Sequence, residues 1–72
     1  MTLSETWIGE GPVLLHRNGP VATITLNRPE AANGMNIVFM KALHQAVMRC
    51  HREPGLRVVH LRGAGRNFCA GG

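Results

Sequence analysis

The chain has 72 residues, enough for one small domain, and 44% of them are hydrophobic, which excludes a disordered polymer. Eight Lys and Arg residues against four Glu residues give a formal net charge of +4. A basic balance fits nucleic acid or the phosphates of a small ligand. The arginines are scattered and not interleaved with aromatic residues, so we expect no nucleic-acid partner.

The N-terminal residues, the absence of a long apolar stretch and the cysteines indicate the cellular compartment. Residues 1–11 lack the charged start and apolar run of a signal peptide. The sequence contains no apolar stretch near the ~20 residues that cross a bilayer. Cys50 and Cys69 allow one disulfide, but free thiols in a reducing cytoplasm are expected. We therefore predict a soluble, cytoplasmic protein with no membrane partner.

The first half of the chain predicts a β-hairpin. Residues 1–12 are typical of a polar lead-in, and residues 13–17 predict a strand. Asn18-Gly19 favours a two-residue turn, because both positions tolerate positive φ. Residues 21–26 predict a second strand. Its alternation places three apolar residues on one face, namely Ala22, Ile24 and Leu26.

An amphipathic helix and a third strand follow. Asn36 is a suitable N-cap, and the helical period continues to about Arg52. Residues 57–62 predict a strand that lies parallel to the second, because the helix is a crossover. The apolar stripe comprises Phe39, Leu43, Ala46 and Cys50, widened by Met40 and Val47. These elements cannot cover one another fully, so the chain resembles the opening of a larger domain.

Several common site motifs are excluded. Gly63-Ala64-Gly65 begins like a dinucleotide fingerprint, but Phe68 occupies the third glycine position, and a phosphate loop is absent. Ser4 has no nearby base in the sequence and is not expected to be a nucleophile. The histidine spacing does not supply three metal ligands, so we expect surface or edge histidines and no metal site at His16, His44, His51 and His60.

The last ten residues form a loop rich in Gly and Ala that follows the third strand. Its backbone amides could hold an anionic oxygen, and a simple turn with a frayed end is the alternative. Residues 26–36, LNRPEAANGMN, resemble the LNRPxAxNALN loop of the enoyl-CoA hydratase/isomerase family, the crotonases. Residues 58–72, VVHLRGAGRNFCAGG, resemble that family's next strand and its G-x-x-x-x-F-[CS]-A-G-x-D loop. Both motifs in order, with a helix between them, make the match specific.

The resemblance implies a partial crotonase-like α/β fold. Residues 13–72 would form the N-terminal part of a larger spiral domain, with a β-hairpin, an amphipathic helix and a third strand. Family members bind acyl-CoA thioesters and pass through an enolate-like oxyanion. Hydration of 2-enoyl-CoA is the activity expected of the parent enzyme. Coenzyme A enters as part of the substrate, no separate cofactor is expected, and a homotrimer or hexamer is expected for the full-length family.

The resemblance also assigns site residues. The backbone N–H of Gly72 would donate to the oxyanion, and Ala70 and Gly71 would line the CoA channel. By their charge alone, Arg28 and Arg66 could contact CoA phosphates, and solvated surface charges are the alternative for both. The loop bordering the pantetheine and adenine would contain Glu30, Ala31 and Ala32.

Two departures from the family bear on activity. The catalytic glutamates of hydratases have no counterpart here, and the acidic residue that normally follows the loop is missing. We therefore expect the 72-residue chain alone to be inactive. A non-catalytic remnant that binds CoA or forms oligomers is the alternative.

Overall fold

The computed structural model describes residues 4–28 and 36–65, which form a four-stranded sheet and one helix. The sheet order is β1-β2-β3-β4, with β1 to β3 antiparallel and β4 parallel to β3. The predicted hairpin and the predicted parallel pairing are both confirmed. In chain order the elements are β1 (Ser4–Ile8), β2 (Val13–Asn18), β3 (Val21–Leu26), α1 (Ile37–Arg52) and β4 (Val58–Gly63).

The hairpin turn lies one position later than predicted. Asn18 pairs with Val21 across the ladder, so the loop is Gly19-Pro20 and not Asn18-Gly19. Gly19 has φ +60°, and a proline ring holds φ near −65° at the second position. This order of signs is that of a type II′ turn, whose twist matches that of the flanking strands.

β1 is a strand that the sequence did not predict, since residues 1–12 appeared to be a polar lead-in. The pairing of β1 with β2 shifts between Thr6 and Ile8, which leaves Trp7 as an extra residue on the β1 side. The Trp7 ring lies 4.4 Å from the Arg49 guanidinium carbon, and its Nε1 donates to Glu5 Oε1 at 2.8 Å. The Arg49 contact and the pairing with β2 come from distant parts of the chain, so a local pattern does not reveal them.

The core lies between α1 and the inner face of β2 and β3. The three predicted inward residues of β3 are confirmed, as are Phe39, Ala46 and Cys50 on the helix. Leu43 is half-buried against the same cluster. Met40 and Val47 were wrongly predicted to be covered: they are 57% and 47% exposed. The buried apolar residues are Val13, Leu15, Ala22, Ile24, Leu26, Phe39, Ala46 and Cys50.

Both ends of α1 are stabilised by specific groups. The side chain of Asn36 accepts a hydrogen bond from the Phe39 backbone N–H at 2.8 Å, which confirms the predicted N-cap. At the other end the Glu53 carboxylate lies 3.2 Å from Arg49 and 3.8 Å from Arg17. Glu53 thereby ties the end of the helix to β2. Within residues 4–28 and 36–65, no helix has the length and apolarity needed to span a bilayer.

Replacing the N-cap tests how much α1 depends on it. Asn36→Ala should lower the free energy of unfolding by about 1 kcal/mol, because a helix amide loses its acceptor. For a domain of this size that corresponds to about 4–8 °C in melting temperature. Asn36→Asp keeps the acceptor and should retain most of the stability, and Gln45→Ala, at an exposed helix position, is the matched control. Equal melting temperatures for Asn36→Ala and Gln45→Ala would contradict the capping role.

Candidate functional site

The carboxyl ends of β3 and β4 lie side by side at one edge of the sheet. Leu26 pairs with Gly63, and the Ala64 N–H donates to the Leu26 carbonyl at 2.8 Å. Ligands of open α/β sheets bind beyond the carboxyl ends of parallel strands. The two motif loops follow these strands in the sequence, so the pairing brings their starting points together. We call this edge the carboxyl edge.

Backbone contacts fix the start of the first motif loop. The Asn27 N–H donates to the Pro12 carbonyl at 2.7 Å, and its side-chain Nδ2 donates to the Gly11 carbonyl at 3.0 Å. The β1–β2 connection therefore lies at the carboxyl edge as well. Gly11 has φ +101°, a conformation that other residues rarely adopt.

The amino end of α1 lies at the same edge. The Arg28 guanidinium carbon is 5.7 Å from the centre of the Phe39 ring, in the first turn of the helix. A cation over an aromatic face is attracted by the ring quadrupole. This contact places a fixed positive charge beside the carboxyl edge, where an anionic group could be attracted.

Gly65 ends the described part of the second motif loop. Its φ of +83° is accessible to glycine at little cost and is disfavoured for residues with a Cβ atom. The chain therefore turns immediately after β4, before the part of the motif that the resemblance assigns to the oxyanion.

The predicted site residues themselves lie outside the described residues, so their roles stay predictions. The structure brings together the strands that precede both loops, and it places Arg28 at their edge. The predicted residues outside the described ranges are Glu30, Ala31, Ala32, Arg66, Ala70, Gly71 and Gly72.

The three glutamates within the described ranges occupy different places. Glu5 accepts a hydrogen bond from Trp7, and Glu53 pairs with two arginines at the far end of α1, away from the carboxyl edge. Glu10 is exposed in the β1–β2 connection, which reaches the carboxyl edge. Of these carboxylates, Glu10 alone is near the candidate site without a described structural bond.

Ser4 has a base beside it, contrary to the sequence prediction. His16 Nε2 lies 3.0 Å from Ser4 Oγ, and His16 Nδ1 lies 3.1 Å from Thr6 Oγ1. The antiparallel register of β1 and β2, which the sequence did not predict, creates this contact. All three side chains are exposed, and the described partners of the imidazole are hydroxyls, so no carboxylate orients it as in a catalytic triad.

A cavity lies away from the carboxyl edge, between the end of α1 and the start of β4. Its volume is about 410 Å³. Desolvation raises the pKa of the Cys50 thiol above its ordinary value, and the nearby Arg49 charge opposes this in part. Among residues 4–28 and 36–65, no three His, Cys or acidic residues are grouped to hold a metal. The cavity is lined by Val47, Cys50, His51, Glu53, Leu56, Arg57, Val58 and Val59.

Comparison with known proteins identifies the family. The model of the enoyl-CoA hydratase/isomerase family matches residues 21–72, more than half of the chain. The chain belongs to this family. It is 51% identical over 51 residues to the probable enoyl-CoA hydratase echA12 of Mycobacterium leprae, covering 71% of this chain and 17% of the relative. It is 35% identical over 63 residues to 3-hydroxyisobutyryl-CoA hydrolase 1 of Arabidopsis thaliana, covering 88% and 17%.

Solved structures confirm the crotonase-like fold. The crystal structure of enoyl-CoA hydratase EchA1 from Mycobacterium marinum matches with a TM-score of 0.80 and 41% identity. The match covers 85% of this chain and 25% of that protein. The chain thus spans about a quarter of the length of this member of the enoyl-CoA hydratase/isomerase family, and less of the two relatives above.

The burial of Cys50 can be tested through its chemistry. In a Cys69→Ser background, alkylation at about pH 8 should be much slower for the folded chain than for the chain in urea, because the thiolate is the nucleophile. As the pH rises above the ordinary thiol pKa, the unfolded chain loses this proton first. The free energy of unfolding should then fall with pH, and the fall should vanish in Cys50→Ala. Equal alkylation rates in the folded and unfolded chains would contradict the burial.

Proposed function

We propose that the carboxyl edge is part of an acyl-CoA site, in which the Gly72 N–H stabilises an enolate-like oxyanion. The proposal is supported most by the adjacent ends of β3 and β4, which start both motif loops from one edge. Membership of the enoyl-CoA hydratase/isomerase family supports the substrate class. Both relatives described above are named for reactions of CoA thioesters.

The proposed chemistry is stabilisation of charge by fixed dipoles. A backbone amide directed at a developing oxyanion contributes about 3–4 kcal/mol, judged from the loss when one donor is removed. Ala70 and Gly71 before that amide are small enough for a thioester to approach. Glu30, Ala31 and Ala32 would border the pantetheine and adenine, while Arg28 would attract a phosphate of CoA.

Hydration of a 2-enoyl-CoA is the reaction we propose for the whole protein. That reaction needs groups that move protons between water and the α-carbon. The resemblance gives no counterpart of those glutamates in this chain, and Glu53 is held in ion pairs away from the proposed site. We accordingly propose that the 72-residue chain alone binds acyl-CoA but does not catalyse hydration. A cytoplasmic homo-oligomer remains the proposed setting for the whole protein.

The alternative is a remnant without catalysis that binds CoA or associates through its open edge. The family contains relatives named for different reactions, a hydratase and a hydrolase among them. A binding role would use the same carboxyl edge without needing the proton-transfer groups. A measurement of hydration by the whole protein would distinguish a catalytic from a binding role. Binding of CoA to this chain would not, because both roles predict it.

Binding can be followed at single amides. Addition of acetoacetyl-CoA to the chain labelled with ¹⁵N-glycine should shift the Gly71 and Gly72 amide signals and leave Gly55, at the opposite edge, unchanged. Arg28→Ala should weaken binding about tenfold, the effect of losing one hydrogen bond to a charged group. Arg52→Ala, an exposed arginine at the far end of α1, is the matched control. Binding that leaves Gly72 unshifted, or that responds equally to both variants, would contradict the proposed site.

Turnover tests the catalytic part separately. We expect no hydration of crotonyl-CoA by the purified chain, because the proton-transfer groups implied by the family are missing. Loss of the ultraviolet absorbance of the conjugated enoyl thioester is a convenient signal, with a complete family member as the positive control. The chain would be purified from a host that lacks its own hydratases. Turnover that persists in this preparation would show that one of the chain's own carboxylates acts, and Glu10→Gln would then be the first variant to examine.

A further inference from the structure

Ser4, Thr6 and His16 form a cluster on the outer face of the sheet, opposite the face on which α1 packs. Ser4 and Thr6 are two positions apart in β1, so their side chains point to the same side of the strand. Thr6 pairs with His16 across the ladder. His16 follows the fully buried Leu15 in β2, so its side chain lies on the face away from the core. We call these three side chains the hydroxyl–imidazole cluster.

Both ring nitrogens of His16 are within hydrogen-bond distance of a hydroxyl. Nε2 lies 3.0 Å from Ser4 Oγ, and Nδ1 lies 3.1 Å from Thr6 Oγ1. A neutral imidazole has one N–H donor and one acceptor nitrogen. With the proton on Nδ1, that nitrogen donates to Thr6 Oγ1, and Nε2 accepts from the Ser4 hydroxyl. In this tautomer Nε2 is placed to take the proton of Ser4.

The cluster has the order of groups that activates a serine: a nucleophile, a base and a third group that orients the base. The Thr6 hydroxyl stands where a catalytic triad has a carboxylate. It holds the ring and its tautomer, but it brings no negative charge to stabilise an imidazolium. The side chain of Thr6 is stiff at χ1 because it is β-branched, which favours a fixed orientation of the imidazole.

The cluster is accessible and lies apart from the carboxyl edge. All three side chains are exposed, so a small electrophile can reach Ser4 Oγ. Ser4 pairs with Asn18, which pairs with Val21 at the start of β3, whereas the carboxyl edge lies at the end of that strand. An inference from this cluster therefore goes beyond the proposed function and does not depend on CoA binding.

We propose that Ser4 is a nucleophile toward activated acyl esters, with His16 as its general base and Thr6 as a positioning residue. Ser4 Oγ attacks the carbonyl carbon while its proton passes to His16 Nε2. The bond to the leaving alcohol then breaks, the alcohol departs with that proton, and an ester of Ser4 remains. Water attacks this ester with the help of the same base, which releases a carboxylic acid and returns the proton to Ser4.

The expected rate gain is modest because the cluster is exposed. General base catalysis contributes about 10²–10⁴-fold. Solvent water surrounds the cluster and would solvate the oxyanion in place of a fixed dipole. We therefore expect the low end of that range, about a hundredfold.

The first test treats the unmodified chain with p-nitrophenyl acetate and locates the acetyl groups by peptide mass spectrometry. Ser4 is the single serine of the sequence, so an acetylated serine identifies the site. We expect an initial burst of nitrophenolate and an acetyl group on Ser4. Acetyl groups on Lys41 or the N-terminal amine, with none on Ser4, would overturn the proposal whether or not any variant folds.

Substitutions then separate the three roles. His16→Gln should slow acetylation of Ser4 about a hundredfold. Thr6→Val should slow it about tenfold, and Thr6→Ser should restore it, because the hydroxyl and not the methyl group orients the ring. His60→Gln is the matched control, since His60 is exposed in the same row of the outer face, two strands away, and its loss should leave the rate unchanged.

The pH profile distinguishes a base from a structural residue. In the unmodified chain the rate should rise as the imidazole loses its proton and then level off, because only the neutral ring accepts a proton. In His16→Gln it should rise only with hydroxide concentration. The other charged or titratable side chains on the outer face of the described strands are His60 and Arg62, both on β4.

Three results with the variants would also overturn the proposal. The first is an unchanged rate of Ser4 acetylation in His16→Gln. The second is an unchanged release of nitrophenolate in Ser4→Ala, which would make the imidazole itself the nucleophile. The third is an equal loss of rate in His60→Gln and His16→Gln.

Discussion

The parallel pairing of β3 with β4 is the constraint on which the rest of the structure depends. Parallel neighbours cannot be joined by a tight turn, so the chain must return across the sheet, and α1 provides that return. The same pairing brings Leu26 and Gly63 together at one edge. The placement of the helix and the placement of the candidate site thus follow from one register.

The position of α1 decides which surfaces are buried. The helix covers β2 and β3, where Leu15, Ile24 and Phe39 are almost fully buried. At the opposite edge of the sheet, β1 pairs with β2. Trp7, the extra residue at the bulge, has the Arg49 guanidinium near its ring. Within residues 4–28 and 36–65, β4 has one strand neighbour, and α1 leaves Val59 and Leu61 on its inner face exposed. Burial therefore decreases across the sheet from β3 to β4, the strand that carries the second motif loop.

The sequence predicted the elements whose signals are local. The alternation of β3 and the Asn36 cap depend on neighbours within a few residues, and both are present in the structure. β1 was missed because its order depends on pairing with β2 and on Arg49, far along the chain. The exposure of Val47 was mispredicted because periodicity shows which residues are apolar, but not whether another element covers them.

The site was predicted in a different way, because the residues alone left open whether the glycine-rich end is a binding loop or a turn. Only the resemblance assigned a role to Gly72, whereas the sheet register adds that both motif loops start from one edge. The contact of Asn27 with the β1–β2 connection, and the position of Glu10 on it, were not predicted. They result from the register of β2, which brings Pro12 beside the end of β3.

Stability and the proposed chemistry are connected through β4. An amide stabilises an oxyanion only if it is fixed in place before the charge develops. The amide proposed for that role follows β4, whose residues are exposed on both faces of the sheet. Since Val59 and Leu61 are 49% and 42% exposed on the side of the sheet that faces α1, β4 receives little packing from the other described residues. The packing of β4 therefore limits how firmly the proposed oxyanion donor can be held in place.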